Sequence, residues 1–158
     1  MIREVSMSEG NNIERKDVLF SIRPNFAEKI INGSKTVELR RRFTHKVKAG
    51  AIALIYCTSP TKAIVGAAVI VGIECLPIKT IWDRHGAAAE IRRTDFNDYF
   101  FGCKEGFAIL LRKPVRFEKQ VKASNLKKRF GFVAPQSFIY LPKKYYALLE
   151  HGQLQTSH

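Results

Sequence analysis

The chain has 158 residues, the size of one domain, and 46% of them are hydrophobic, as in a globular fold with a core of its own. Its 27 Lys and Arg against 14 Asp and Glu leave a net charge of +13, which points to acidic partners, and no apolar run is long enough to cross a bilayer or serve as a signal peptide. Cys57, Cys75 and Cys103 are odd in number and widely spaced, and the histidines are scattered, so no disulfide framework, metal site or cofactor is expected. The expected location is the cytoplasm, with no membrane contact, and no feature of the sequence sets an oligomeric state.

Residues 1–16 are polar and carry Ser8-Glu9-Gly10-Asn11-Asn12, which predicts a flexible leader ahead of a single domain over residues 17–150, with 151–158 as a tail. A short strand begins at Leu19 and turns at Pro24 into a helix whose Phe26, Ala27, Ile30 and Ile31 share one face; Gly33 suits a left-handed helix end. From Lys35 the period changes to two, with Val37 and Leu39 on one side and Thr36, Glu38, Arg40 and Arg42 on the other. A polar connection over residues 44–50 leads to a buried strand at 51–57, a turn at Thr58-Ser59-Pro60-Thr61, and a long strand at 63–75 in which Gly66 and Gly72 mark bends or bulges. Together these segments predict an antiparallel meander closing into a barrel.

Residues 77–85 predict a short helix with Trp82 inward and Gly86 at its end, and Thr94 is the expected cap of a helix through Phe101, with Phe96 and either Tyr99 or Phe100 inward and Gly102 as the stop. A core strand follows over 106–117, its tail running out at Pro114. Ser124 is the expected cap of a basic turn through Phe130, residues 135–141 are extended, and Pro142 starts a last helix.

The string Gly33-Ser34-Lys35-Thr36-Val37-Glu38-Leu39-Arg40, preceded by Ser21-Ile22-Arg23-Pro24, resembles the ASCH domain (activating signal cointegrator homology), a branch of the PUA-like superfamily. Leu54-Ile55-Tyr56, Ile64-Val65-Gly66, Gly106-Phe107-Ala108-Ile109 and Pro135-Gln136-Ser137-Phe138 continue the resemblance in the same order, over residues 18–141. It implies an α+β fold, a small, mostly antiparallel PUA-like β-barrel with peripheral helices, a positively charged cleft beside the lysine-bearing strand, and an RNA-related role. One branch of the superfamily, amidohydrolases acting on acetylated cytidine, has a nucleophilic threonine three residues after the lysine; Glu38 stands there, and Thr36 is displaced by two positions. Other relatives are credited with ribonuclease activity.

Read residue by residue, Lys35 and Glu38 reach one cleft if Lys35 sits in the turn before its strand, and they then form a charged triad with Arg40. The alternative is an ion-pair ladder on an exposed strand. Arg23 is the better ligand contact of the neighbouring strand end, which also carries Ser21, while Arg41 and Arg42 suit general phosphate contacts. Ser59, beside Thr58 in its turn, can bind an anion; Gln136 and Ser137 either cap backbone groups or read a base edge. Basic clusters stand near aromatic residues at Arg40-Arg41-Arg42, Arg92-Arg93, Lys127-Lys128-Arg129 and Lys143-Lys144, the pairing that RNA contact requires. RNA is therefore the expected partner; the alternatives are a regulatory module that binds DNA or a protein, and, for the charge alone, a highly soluble surface or contact with acidic lipids. A hydrolase of RNA or of a modified nucleoside would use Lys35 and Glu38 as its catalytic pair.

Overall fold

The computed structural model describes residues 15–148. The expected leader, apart from Arg15 and Lys16, and the expected tail lie outside the described residues. In chain order the elements are β1 (Val18–Ile22), α1 (Pro24–Ile31), β2 (Val37–Arg40), β3 (Ile52–Cys57), β4 (Ala63–Pro77), α2 (Ile78–His85), α3 (Arg93–Tyr99), β5 (Glu105–Lys122), α4 (Ala123–Phe130), β6 (Phe138–Tyr140), a 3-10 turn (Lys143–Tyr145) and α5 (Tyr146–Leu148). The strands form one sheet in the order β2-β5-β4-β3-β1-β6. β3, β4 and β5 form an antiparallel meander, but the two earlier strands depart from the expected one: β1 runs parallel to β3, and β2 pairs with β5; every pair other than β1–β3 is antiparallel. The sheet curls into a half-barrel whose two edges are β2 and β6.

The curl originates in the long pair β4–β5. Its register shifts between Ile64 and Gly66, between Ala67 and Val69, and between Ile70 and Gly72, and each such bulge bends the strand and increases its twist. At Gly66 the backbones close in: an added Cβ would stand 2.2 Å from the Val115 carbonyl oxygen and 2.6 Å from Ile31 Cδ1. Since one obstacle is backbone and the other holds α1 against the sheet, Gly66→Ala is expected to cost about 1–3 kcal/mol, read as a lower urea midpoint at unchanged m-value.

Three apolar clusters hold the layers together. α1 places Ala27, Ile30 and Ile31 against Phe20, Ile55 and Ile109 on the concave side, where the rings of Phe43 and Phe138 also pack at a tilt with centroids 4.7 Å apart. α4 covers the opposite face of β1, β3 and β4 with Leu126, beside Phe132 and Tyr145. α2 and α3 cover Val37 and Leu39 of β2 with Ile81, Phe96 and Phe100.

Several boundaries differ from the sequence expectation. α3 starts after an extended Arg92, and α4 after an extended Lys122; neither makes a side-chain capping hydrogen bond, and Thr94 and Ser124 lie inside the first turn and are not caps. β5 continues to Lys122 instead of fading at Pro114. The proline lies at an irregular stretch of β5, where the pairing steps from Arg112 to Val115 and the ladder needs no N–H. Gly33 is left-handed at φ 89°, as expected after α1, whereas Gly86 is right-handed and buried against Trp82. Asp17, fully buried, ties β3 to the C-terminal segment: its Oδ1 accepts from the Ile52 amide at 2.7 Å and its Oδ2 from the Tyr146 hydroxyl. Burial, then the Asp17 hydrogen bond, pushes the Tyr146 phenol up to about 12.

Candidate nucleic-acid site

Both faces of β2 are buried. Val37 and Leu39 serve the α2–α3 cluster, so Glu38 and Arg40 must point to the concave side, where each keeps 9% of its surface exposed. Lys35 precedes the strand, in the turn that follows Gly33, and is 4% exposed. Its amide donates to the Lys29 carbonyl at 2.9 Å, its Nζ donates to the Ala89 carbonyl at 2.6 Å, and the ammonium lies 4.9 Å from the centre of the Phe26 ring. The turn position therefore brings Lys35, Glu38 and Arg40 to one cleft of about 1080 Å³.

Arg40 spans the opening between the sheet edges. Its Nη1 donates to Ser137 Oγ at 3.1 Å and to the Ser137 carbonyl at 3.3 Å, and its Nη2 donates to the Ser21 carbonyl at 3.1 Å. Its guanidinium also lies over Phe20, 4.9 Å from the ring centre. Thus the terminal nitrogens of this arginine close the half-barrel, and the side left toward Glu38 is Nε, 3.9 Å from Oε1. Glu38 Oε1 accepts from the Leu39 amide at 3.1 Å, while Oε2 and Arg40 Nε are buried without a hydrogen-bond partner among the described residues. Unpartnered polar atoms at such depth are uncommon, and here two of them sit together at the bottom of a cleft.

Burial pushes the Lys35 ammonium below the usual lysine range; Arg40 and Lys29 add to the shift, and Glu38 and Glu90 oppose it. The other expected residues fall as follows. Arg23, Arg41 and Arg42 are exposed and line the rim, with Arg41 stacked over Tyr99 at 4.9 Å. Gln136 is exposed and Ser137 half-buried on the wall opposite β2; Ser21 Oγ donates to the Pro135 carbonyl at 2.6 Å and fixes that wall to β1. Thr58 lines the cleft. Ser59 is exposed in the same turn and is not part of the lining.

The third wall comes from α3, whose Asp95, Asp98 and Tyr99 face the cleft. The sequence expectation turned either Tyr99 or Phe100 inward and gave the two acids no role, although 95, 98 and 99 have the three- and four-residue spacing of one helix face. With five cations and three acids, the lining keeps a positive balance and also offers acceptors for ligand donors.

A family model described as a domain of unknown function, DUF365, matches residues 15–141. A protein of Zymomonas mobilis called an ASCH domain-containing ribonuclease is 36% identical over 134 residues, covering 83% of this chain and 88% of the relative. The chain belongs to the ASCH domain family. The crystal structure of the ASCH protein from Zymomonas mobilis superposes on this ASCH domain with a TM-score of 0.82 at 34% identity, covering 87% of this chain and 96% of that one. Human THYN1, solved in complex with DNA containing 5-methylcytosine, shares the fold with a TM-score of 0.53 at 12% identity, over 90% of this chain and 99% of that one.

Proposed function

We propose that this ASCH domain binds single-stranded RNA in the cleft beside β2 and cleaves it with Lys35 and Glu38. The observation that carries the reading is the meeting of Lys35, Glu38 and Arg40, each at least nine-tenths buried, at one opening of the half-barrel. Charged groups are seldom placed so deep for stability alone, and burial of this kind clusters at functional sites. The Zymomonas mobilis relative called a ribonuclease supports the choice of RNA and of turnover. A volume of about 1080 Å³ accommodates a few nucleotide units and is too small to enclose a duplex.

The chemistry needs one base and one acid. Glu38 accepts the proton of the ribose 2′-hydroxyl as the 2′ oxygen forms its bond to phosphorus; the bond from phosphorus to the 5′ oxygen breaks, and Lys35 gives that oxygen a proton. The products are a 2′,3′-cyclic phosphate and a free 5′-hydroxyl. A lysine held below its ordinary range is the better donor near neutral pH, and the Leu39 amide orients the carboxylate, with Arg40 Nε 3.9 Å away as the nearby cation. Arg23, Arg41 and Arg42 at the rim meet the flanking phosphates.

The test uses a labelled single-stranded RNA, the DNA of the same sequence, and the RNA with one 2′-deoxy position. Cleavage of the RNA to cyclic phosphate ends, with the deoxy position and the DNA left intact, is expected. DNA cut as fast as RNA would remove the 2′-hydroxyl from the mechanism and favour a DNA substrate.

A further inference from the structure

On the far face of the sheet, α4 and the end of β5 carry a second basic surface. Residues 119–129 contain five cations and no acid. Lys119, Lys122, Lys127, Lys128 and Arg129 are all exposed, and none of them has an ion pair among the described residues. A helix end attracts cations to its last turn, which accounts for Lys127, Lys128 and Arg129 on α4. It does not account for Lys119 and Lys122, which belong to β5, or for the exposed Lys62 in the turn after β3. A surface made only for solubility would mix both signs. Between β5 and α4 runs a groove of about 350 Å³ lined by Lys119, Lys128 and Arg129 together with the amides Gln120 and Asn125.

This surface is connected to the cleft by the sheet itself. Ile22 pairs with Cys57, Cys57 with Ala63, and Ala63 with Lys122, so one row across neighbouring strands leads from the cleft lining to the start of α4. At about 4.8 Å per strand the row is roughly 14 Å long. The turn at its end fixes the connection: Lys62 N donates to the Thr58 carbonyl at 3.4 Å, and the Ala123 amide donates to the Lys62 carbonyl at 2.9 Å. Thr58 is in the cleft, and Ala123 opens α4.

We infer that the β5–α4 surface is a second phosphate-binding site, which holds the backbone of the same RNA strand after it leaves the cleft over the turn at Thr58. The strand path rests on the cleft reading above; the surface does not. Lys119, Lys122 and Lys128 contact successive phosphates, and Gln120 and Asn125 offer hydrogen bonds to ribose or base. Binding therefore depends on length: an oligonucleotide that fills only the cleft does not reach this surface.

The experiment compares wild type with Lys119→Gln/Lys122→Gln/Lys128→Gln by fluorescence anisotropy over a range of salt concentrations. The probes are a labelled trinucleotide and a labelled 24-mer, both as single-stranded 2′-O-methyl RNA, which the proposed cleavage cannot cut. For the 24-mer, loss of three phosphate contacts should reduce the log–log salt slope by about 2. The trinucleotide should bind both proteins alike. An unchanged slope for the 24-mer, or equal weakening of both probes, would overturn the inference. Lys35→Ala separates the two readings: if it leaves both affinities intact while the triple variant loses the 24-mer, the surface stands and the cleft reading fails.

Discussion

Lys35→Met is expected to lower the rate of RNA cleavage by about 10²–10⁴-fold while raising the thermal stability of the domain at neutral pH. Under the proposed mechanism the first effect is that of removing a positioned general acid. The second follows from the direction in which burial moves the ammonium. In the folded chain Lys35 binds its proton less readily than in the unfolded chain, where its pKa is the ordinary 10.5. Between the folded value and 10.5 the unfolded chain holds more protons, so stability rises with pH across that window, and below it the full cost of burying the charge is present. Methionine fills similar space without that cost, although it leaves the Ala89 carbonyl without its donor. The gain should therefore be largest at neutral pH and shrink as pH approaches 10.5. Melting curves at several pH values check the stability effect, and single-turnover cleavage checks the rate. In wild type the rate should fall as pH rises through the depressed lysine pKa, and Lys35→Arg should lose that limb. A Lys35→Met protein that cleaves normally would remove Lys35 from the chemistry.

The local grammar of the site strand was legible in the sequence because it depends on near neighbours. Gly33 ends α1 in the left-handed region, which puts Lys35 in a turn and lets Glu38 and Arg40 follow with period two toward the same cleft. Gly66 and Gly72, read as bends, both fall at register shifts of β4. The family strings quoted from residues 18–141 occupy nearly the same span as the matching family model. What could not be read was non-local. No pattern in residues 18–22 distinguishes a strand parallel to β3 from an antiparallel one, since the choice is made by the crossover through α1 and β2. Hydroxyl residues near helix starts also misled: at Thr94 and Ser124 the chain had already entered the helix from an extended Arg92 and Lys122. The position of Arg40 between two sheet edges has the same origin, because β2 and β6 are almost 100 residues apart and meet only when the sheet has curled.

That position gives Arg40→Met the largest expected effect on stability. The substitution removes the donors to the Ser21 carbonyl and to both oxygens of Ser137, and it leaves buried Glu38 with Lys35 alone as a buried cation in the cleft. Breaking a buried charge pair from one side costs about 3–5 kcal/mol, which for a chain of this size is a fall in melting temperature on the order of 10 °C. Most of the loss should be the stranded carboxylate and not the missing attraction. Arg40→Met/Glu38→Gln is then expected to be more stable than the sum of the two single losses predicts, and a double-mutant cycle reads the difference directly. The pair is little screened at this depth, so the loss should persist at high salt, unlike that of a surface ion pair. The wall carrying Gln136 and Ser137 is held toward β2 through Arg40, and without it the link between the two edges is reduced to Phe43 against Phe138 and the Tyr140–Thr44 hydrogen bond. RNA binding should consequently weaken in Arg40→Met even at temperatures where the domain stays folded, and Glu38→Gln should not restore it. Full binding by the double variant would mean that the cleft does not depend on its closed edge.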